Sequence, residues 1–176
     1  MKFVKSRITG GFLRGREILS PESDKTHPMG SRERLAILNS LGPDIEGSRV
    51  LDLFAGTGAL GIEALSRGAE KAVFVENDQK VVKTLKENLK NLEVLDKSEV
   101  LFEDVKNFKG EDFDYVFLDP PYDKIAEFDI EKIMQKFSNV RKIVLSHPKG
   151  SDYSLDGFGK RVKTYAGASI TIFTKI

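Results

Sequence analysis

Apolar residues along the chain follow two alternating rhythms. From residue 49 onward, short unbroken runs, RVLDLF (49–54), KAVFVE (71–76), EVLFE (99–103), DYVFLD (114–119) and RKIVLS (141–146), alternate with longer stretches. Such runs suit strands covered on both faces, because successive side chains point to opposite sides of a sheet. The stretches between include ALGIEALSRG (59–68), DQKVVKTLKENLKNL (78–92) and IAEFDIEKIMQKF (125–137). In the second, Val81, Val82, Leu85, Leu89 and Leu92 recur at helical spacing, and Asp78 stands where an N-cap is needed. Strands alternating with helices predict a doubly wound, mostly parallel α/β sheet. The last two strands, KRVKTYA (160–166) and SITIFTKI (169–176), are separated only by Gly-Ala, so they should form an antiparallel hairpin.

Ahead of this core, SRITGGFLRGREIL (6–19) reads as two short strands around Gly10-Gly11. SRERLAILNSLG (31–42) reads as a helix with Leu35, Leu38 and Leu41 on one face, stopped at Gly42-Pro43. The division is therefore a basic arm and helix over 1–43, then one α/β domain over 44–176. No internal repeat or low-complexity segment interrupts it. A seven-stranded, mostly parallel sheet closed by an antiparallel C-terminal hairpin is the pattern of the class I, Rossmann-like methyltransferases. That is an analogy of fold, and function has to be argued from the site.

Composition narrows the chemistry. With 176 residues the chain has the size of one ordinary domain plus an appendage. It contains no cysteine, and its two histidines, His27 and His147, lie far apart, so no metal site is expected. The opening MKFVKSRITGGF lacks an apolar signal core, and no stretch has the length of a membrane span. A soluble, cytoplasmic protein with no membrane partner, acting as a monomer, is the expectation. Charge is uneven: residues 1–43 carry net +4, 44–131 net −10 and 132–176 net +7. Lys2, Lys5, Arg7, Arg14 and Arg16 occur in the first 16 residues without an acid among them. Such a run can be simply a solvated terminus, but a basic arm and tail around an acidic middle favour a polyanionic partner.

LDLFAGTGALGIEAL places Gly56, Gly58 and Gly61 between a strand and a helix, with Glu76 at the end of the next strand, 20 residues beyond Gly56. This matches the G-x-G-x-x-G fingerprint of dinucleotide sites, so a nicotinamide-dependent oxidoreductase fits the template as well. Any adenosine cofactor has the same needs: glycines that let the backbone approach, and an acid for the ribose hydroxyls. Asp52, four residues ahead of Gly56, is awkward beside a pyrophosphate but suits a ligand's ammonium group, which S-adenosylmethionine has and NAD lacks. Asp104, after the third strand, stands where an adenine edge would lie, and it can equally serve as an N-cap.

The fourth strand ends in LDPPY, 63 residues after Gly56 at Asp119. Ligands of open α/β sheets bind beyond the strands' carboxyl ends, where strand order reverses. With the strand order of the methyltransferases, Asp119-Pro120-Pro121-Tyr122 would face the glycine loop across one crevice. An exocyclic amine on a base is a poor nucleophile because its lone pair is delocalised into the ring. A carboxylate and a rigid carbonyl gripping its two N–H bonds would favour a pyramidal nitrogen, and a proline after the acceptor residue fixes that carbonyl's direction. The carboxylate would also stabilise charge developing on nitrogen, and Tyr122 could stack on an extruded base. The plainer alternative is a rigid strand exit beside a surface tyrosine.

Taken together, ITGGFLRGREI, RERLAILNSLG, VLDLFAGTGALGIEALSRGA and FLDPPY resemble the bacterial small-subunit ribosomal-RNA guanine-N2 methyltransferases, spanning most of residues 6–123. That family methylates the 16S guanine usually numbered 966, using S-adenosylmethionine and no metal. The resemblance implies that Asp119 and Pro120 grip the guanine amino group and Tyr122 stacks on the base. It implies cofactor contacts from Asp52, Phe54, Ala55, Gly56, Thr57 and Gly58, from Glu76 and Asn77, and from Asp104 and Val105. It implies ribosomal RNA, within small-subunit particles, as the partner of Lys5, Arg7, Arg14, Arg16, Arg32 and Arg34.

The chain also departs from the family. Where members read RPTTDRVREALF it has HPMGSRERLAIL (27–38), which keeps Arg32 and Arg34 but replaces a threonine pair with Met29-Gly30, an aspartate with Ser31 and a glutamate with Leu35. Members often carry an acid near the end of the fifth strand, where this chain reads LSHPKG, and His147 is assigned no role. A DNA amino-methyltransferase shares the D-P-P-Y element, and a noncatalytic RNA-binding assembly factor would share the basic arm.

Overall fold

The computed structural model describes residues 2–22 and 29–176. His27 and Pro28 of the departing segment lie outside the described residues. Its strands are β1 (Phe3–Arg7), β2 (Glu17–Pro21), β3 (Arg49–Asp52), β4 (Lys71–Glu76), β5 (Ser98–Phe102), β6 (Tyr115–Leu118), β7 (Lys142–His147), β8 (Phe158–Thr164) and β9 (Ser169–Lys175). The α-helices are α1 (Ser31–Leu41), α2 (Ala59–Ser66), α3 (Gln79–Asn91) and α4 (Ile130–Gln135).

Seven strands form one sheet in the order β5-β4-β3-β6-β7-β9-β8. β5 through β7 run parallel, and β9 inserts antiparallel between β7 and β8. This is the doubly wound sheet with a terminal hairpin that the apolar pattern predicts. Alternation along each strand feeds two cores. Val50, Phe74, Phe117 and Val144 pack under α1, α2 and α3, while Leu51, Val73, Val116 and Ile143 pack against α4. Strand order reverses between β3 and β6, and the crevice beyond their carboxyl ends lies there.

Local departures from the expected elements have physical causes. The expected helix over 125–137 divides into a 3₁₀ turn, Tyr122–Glu127, and the short α4. Asp129 starts α4 by accepting the Lys132 N–H at 3.0 Å, so its carboxylate caps a helix start where continuous periodicity suggested an interior. Asp78 caps α3 as expected, accepting from the Lys80 and Val81 N–H groups. β5 is an edge strand rather than one covered on both faces, and Phe102 is 62% exposed. The buried face of α1 is Arg34, Ile37, Leu38 and Leu41, and Leu35, expected on it, turns to solvent.

The arm is fastened to the sheet domain by apolar contact and by polar side chains. Ile8, Leu13 and Ile18 join the core shared by α1, α2 and α3. Gly11 has φ +75°, and a Cβ there would lie 1.8 Å from the Ser66 carbonyl oxygen, so Gly10-Gly11 is a point of close approach to the end of α2. Ser66 Oγ donates to the Gly10 carbonyl at 2.6 Å and accepts from the Leu13 N–H at 2.9 Å. Asn88 of α3, buried, pairs with both main-chain groups of Leu19 at 2.9 Å and donates to the Thr57 carbonyl at 3.1 Å. One amide thereby ties β2 to the glycine loop.

Candidate active site

The glycine loop is the turn between β3 and α2, and its three glycines are required for different reasons. Gly56 and Gly58 have φ of +53° and +87°, a region that disfavours any side chain. A Cβ on Gly58 would come within 2.4 Å of Leu85 and one on Gly61 within 2.3 Å of the Phe74 ring, so Gly58 lets the loop close on α3 and Gly61 lets α2 close on β4. Nothing lies within 4 Å of a Cβ built on Gly56, so the open side of the loop is there. Thr57 turns away from that opening, its hydroxyl 3.0 Å from Ser20 Oγ of the arm.

Glu76 at the tip of β4 shapes the loop. One oxygen accepts the Gly56 N–H at 2.9 Å, and the other accepts from Asn77 and Asp78, each at 2.9 Å. Phe54 meets Phe128 edge-on with ring centroids 5.0 Å apart, and Ala55 is buried beneath the loop. Asp104 accepts the Lys106 N–H at 2.8 Å, so the capping role is realised, on a single turn rather than a helix. Val105 is buried in the core facing α4.

Asp52 is 1% exposed. Its Oδ2 accepts the Gly61 N–H at 3.1 Å, and its Oδ1 is buried without a hydrogen-bond partner. Burial raises its pKa to about 7, with Asp119 and Glu76 adding to the rise and the Gly61 N–H opposing it. A buried carboxylate with one unmatched oxygen, flanked by two further carboxylates, fits a ligand that brings a positive charge. It would repel a pyrophosphate.

Across the crevice, Asp119 follows β6 directly, and burial raises its pKa to about 6 while a hydrogen bond from Ser146 opposes the rise. Ser146, on β7, also bonds the Tyr122 hydroxyl. Burial raises the Tyr122 pKa, Ser146 pulls it down, and Asp119 and Glu33 of α1 push it up. One serine thus stands beside the carboxylate and anchors the ring. Sequence reasoning did not single out Ser146; its only trace was its position at the end of the fifth strand of the main sheet, where an acid was expected. The neighbouring His147 is buried, with Nε2 2.8 Å from Thr171 Oγ1 and its ring edge-on to Tyr153. Burial holds its pKa low.

The cations expected at RNA separate into three environments. Lys5, Arg7 and Arg16 line a groove of about 470 Å³ beside the hairpin, where Lys5 is 2.8 Å from Glu17 and Arg16 donates to the Asn91 carbonyl at 2.8 Å. Arg14 lies exposed in the turn between β1 and β2, and Arg32 lies exposed on α1. Arg34 does not join them. Its side chain is 2% exposed, donates to the Arg7 carbonyl at 2.9 Å and lies 3.5 Å from Glu63. An arginine expected to meet phosphate is an interior residue holding the arm to α1. Among the described residues no group of three or more His, Cys, Asp or Glu side chains is arranged to hold a metal ion, and no helix is long and apolar enough to cross a membrane.

The strand order, with a glycine loop facing D-P-P-Y across the switch point, is that of the class I, Rossmann-like methyltransferases. The chain belongs to the family described as conserved hypothetical protein 95, whose model matches residues 6–150, and this bears out the family resemblance of its motifs. It is 41% identical over 122 residues to the ribosomal RNA small subunit methyltransferase D of Haemophilus influenzae, matching 66% of this chain and 63% of the relative. The protein of that name from Escherichia coli is 40% identical over 119 residues, matching 66% of this chain and 60% of its own. The chain therefore spans less than two thirds of the length of these curated relatives. A solved structure from Escherichia coli, described provisionally as a methyltransferase, superposes with TM-score 0.84 at 28% identity and covers 98% of both chains. Another, from Thermus thermophilus and described as a hypothetical protein, gives TM-score 0.78 at 31% identity, covering 97% of this chain and 99% of its own.

Proposed function

We propose that the protein transfers a methyl group from S-adenosylmethionine to the exocyclic N2 amine of a guanine in small-subunit ribosomal RNA, the guanine numbered 966 in the 16S molecule. The observation that carries this reading is the pairing of two unlike carboxylates across one crevice. Asp52 has an unmatched buried oxygen beside the glycine loop, and Asp119 lies next to the Ser146–Tyr122 pair. When bound, the cofactor would supply an electrophilic methyl group on a sulfonium centre.

On this reading Asp52 receives the cofactor's cationic methionine end, which satisfies its free oxygen. Glu76 already holds the loop through three N–H groups, and its remaining lone pairs accept from ribose hydroxyls. Asp104 and Val105 border the adenine. Asp119 and the Pro120 carbonyl take the two amino hydrogens of the base, which turns the nitrogen lone pair toward the methyl group. As nitrogen gains the methyl it must lose a proton. Asp119, with its pKa raised to about 6, accepts that proton from a far more acidic alkylated amine and releases it to water. Tyr122, anchored through its hydroxyl, presents a ring for stacking on the extruded guanine. Orientation of this kind can supply roughly 7–11 kcal/mol. The exposed arm cations Lys5, Arg7, Arg14 and Arg16, with Arg32, meet RNA phosphates, and Arg34 is left out of that set.

The test is transfer of tritiated methyl from S-adenosylmethionine to small-subunit particles and naked ribosomal RNA lacking the modification. N2-methylguanine in the nuclease digest is the expected product. Label on adenine N6 or cytosine N4 of DNA, with none on RNA, would replace the substrate assignment.

A further inference from the structure

We propose that the groove between α1 and β8 carries the phosphate backbone of the substrate RNA past the crevice, an inference that rests on the RNA methyltransferase reading above. The groove, of about 420 Å³, has Arg32, Leu35 and Asn39 of α1 on one wall and Arg161 and Lys163 of β8 on the other. Its lining holds three cations and no acid. Among the described residues no carboxylate oxygen lies within 4.0 Å of any of the three. The hairpin groove differs, because there Glu17 already neutralises Lys5. Three unneutralised cations on two facing elements suit a polyanion, and the arginines suit bidentate contact to phosphate.

Sheet register ties this groove to the chemistry. Ser146 pairs with Ile170, and Ile170 pairs with Lys163. Val144, Ile172 and Arg161 form the parallel row two residues back. Paired residues on adjacent strands share a face, so Lys163 and Ser146 lie in one row, with backbones about 10 Å apart at two strand spacings. Ser146 is the residue that bonds the Tyr122 hydroxyl and lies beside Asp119. At the other wall, Arg32 neighbours Glu33, whose charge reaches the Tyr122 hydroxyl. The β8 wall therefore lies two strands from Ser146 in the same row, and the α1 wall includes the residue next to Glu33. A strand whose guanine is turned into the crevice can lay its flanking phosphates on Lys163, Arg161 and Arg32, while Leu35, 39% exposed, offers an apolar surface to a sugar. Such contacts position RNA without reading its sequence.

The experiment measures binding and methylation of a small-subunit ribosomal RNA fragment by wild-type protein, by the double variant Arg161→Ala/Lys163→Ala and by Arg32→Ala. A second double variant, Lys109→Ala/Lys132→Ala, removes two positive charges on the α4 side of the sheet. The β8 variant should bind RNA at least tenfold more weakly. Its plot of log affinity against log salt should be shallower by about 1.4, at about 0.7 for each single-strand phosphate no longer neutralised. KM for RNA should rise while kcat at saturating RNA and cofactor affinity stay within twofold. Arg32→Ala, on a separate element, should move the same quantities about half as far, which guards against a local fault in β8. Groove variants that match wild type, or that match the α4-side control, overturn the groove while leaving the functional reading in place. Wild-type protein that neither binds nor methylates the RNA overturns both.

Discussion

Glu63 and Asp52 are both carboxylates with almost no exposure, at 0% and 1%, and both belong to the neighbourhood of α2. Their surroundings differ. Glu63 accepts the Thr9 N–H at 2.7 Å and the Thr9 hydroxyl at 3.0 Å, with the Arg34 guanidinium 3.5 Å away. Asp52 has a single N–H donor and an oxygen with no partner. Burying a charge is costly unless it is paired and hydrogen-bonded. The Glu63 carboxylate is satisfied by the protein itself and locks arm, α1 and α2 together, although the Arg34 Nε facing it makes no hydrogen bond. The second lacks a partner for one oxygen within the protein, and on the proposed reading that incompleteness marks a binding carboxylate rather than a structural one.

Breaking the completed site should give the largest effect. Arg34→Ala leaves Glu63 buried without a countercharge, and the expected loss of stability is about 3–5 kcal/mol. Chemical denaturation should register it as a lower midpoint with little change in slope. A loss under about 1 kcal/mol, the worth of an exposed pair, would show that Arg34 is not the interior partner described. Next in size is Asp119→Ala, which should lower kcat by about 10²–10³-fold while leaving cofactor affinity near wild type. Weakened cofactor binding with normal turnover by the bound fraction would instead place Asp119 with Asp52, on the cofactor side.

The same contrast explains what could be read before the structure. Strand runs such as KAVFVE and DYVFLD announce themselves because burial on both faces leaves an unbroken apolar signature. LDLFAGTGALG and LDPPY announce themselves because each breaks the local rules of a strand exit. Arg34 did not, because a periodicity count scores it as polar and selects Leu35, one position along, for the buried face. What buries Arg34 is Glu63, 29 residues away in sequence, with the Arg7 carbonyl supplied by the arm. Ser146 was equally silent. A serine at a strand end carries no signal until β7 is laid beside β6 and its hydroxyl meets Asp119 and Tyr122. Tertiary pairings of single polar residues leave no periodic mark, so these were the parts that required coordinates.

The smallest expected effect sharpens the comparison most. The folded pKa of Asp52 is raised from 3.8 to about 7, so between those values the native state holds a proton that the unfolded chain has released. Stability of the ligand-free protein should therefore fall as pH rises from about 4 to 7, with Asp119, raised to about 6, adding to the fall in the lower part of that window. A cationic ligand favours the ionised carboxylate, so affinity for S-adenosylmethionine should change in the opposite direction, rising across pH 5.5–7 in step with ionisation of Asp52. Asp52→Asn should weaken cofactor binding by about 10–100-fold, the worth of one hydrogen bond to a charged group, and flatten that rise. It should leave the ligand-free protein no less stable at pH 8, because the substitution removes an uncompensated charge. Calorimetric titration and thermal midpoints across the pH range read both quantities. Wild-type affinity that is flat or falls over pH 5.5–7 would mean that the free oxygen of Asp52 does not await a cation, and the distinction between the two buried carboxylates would then need another cause.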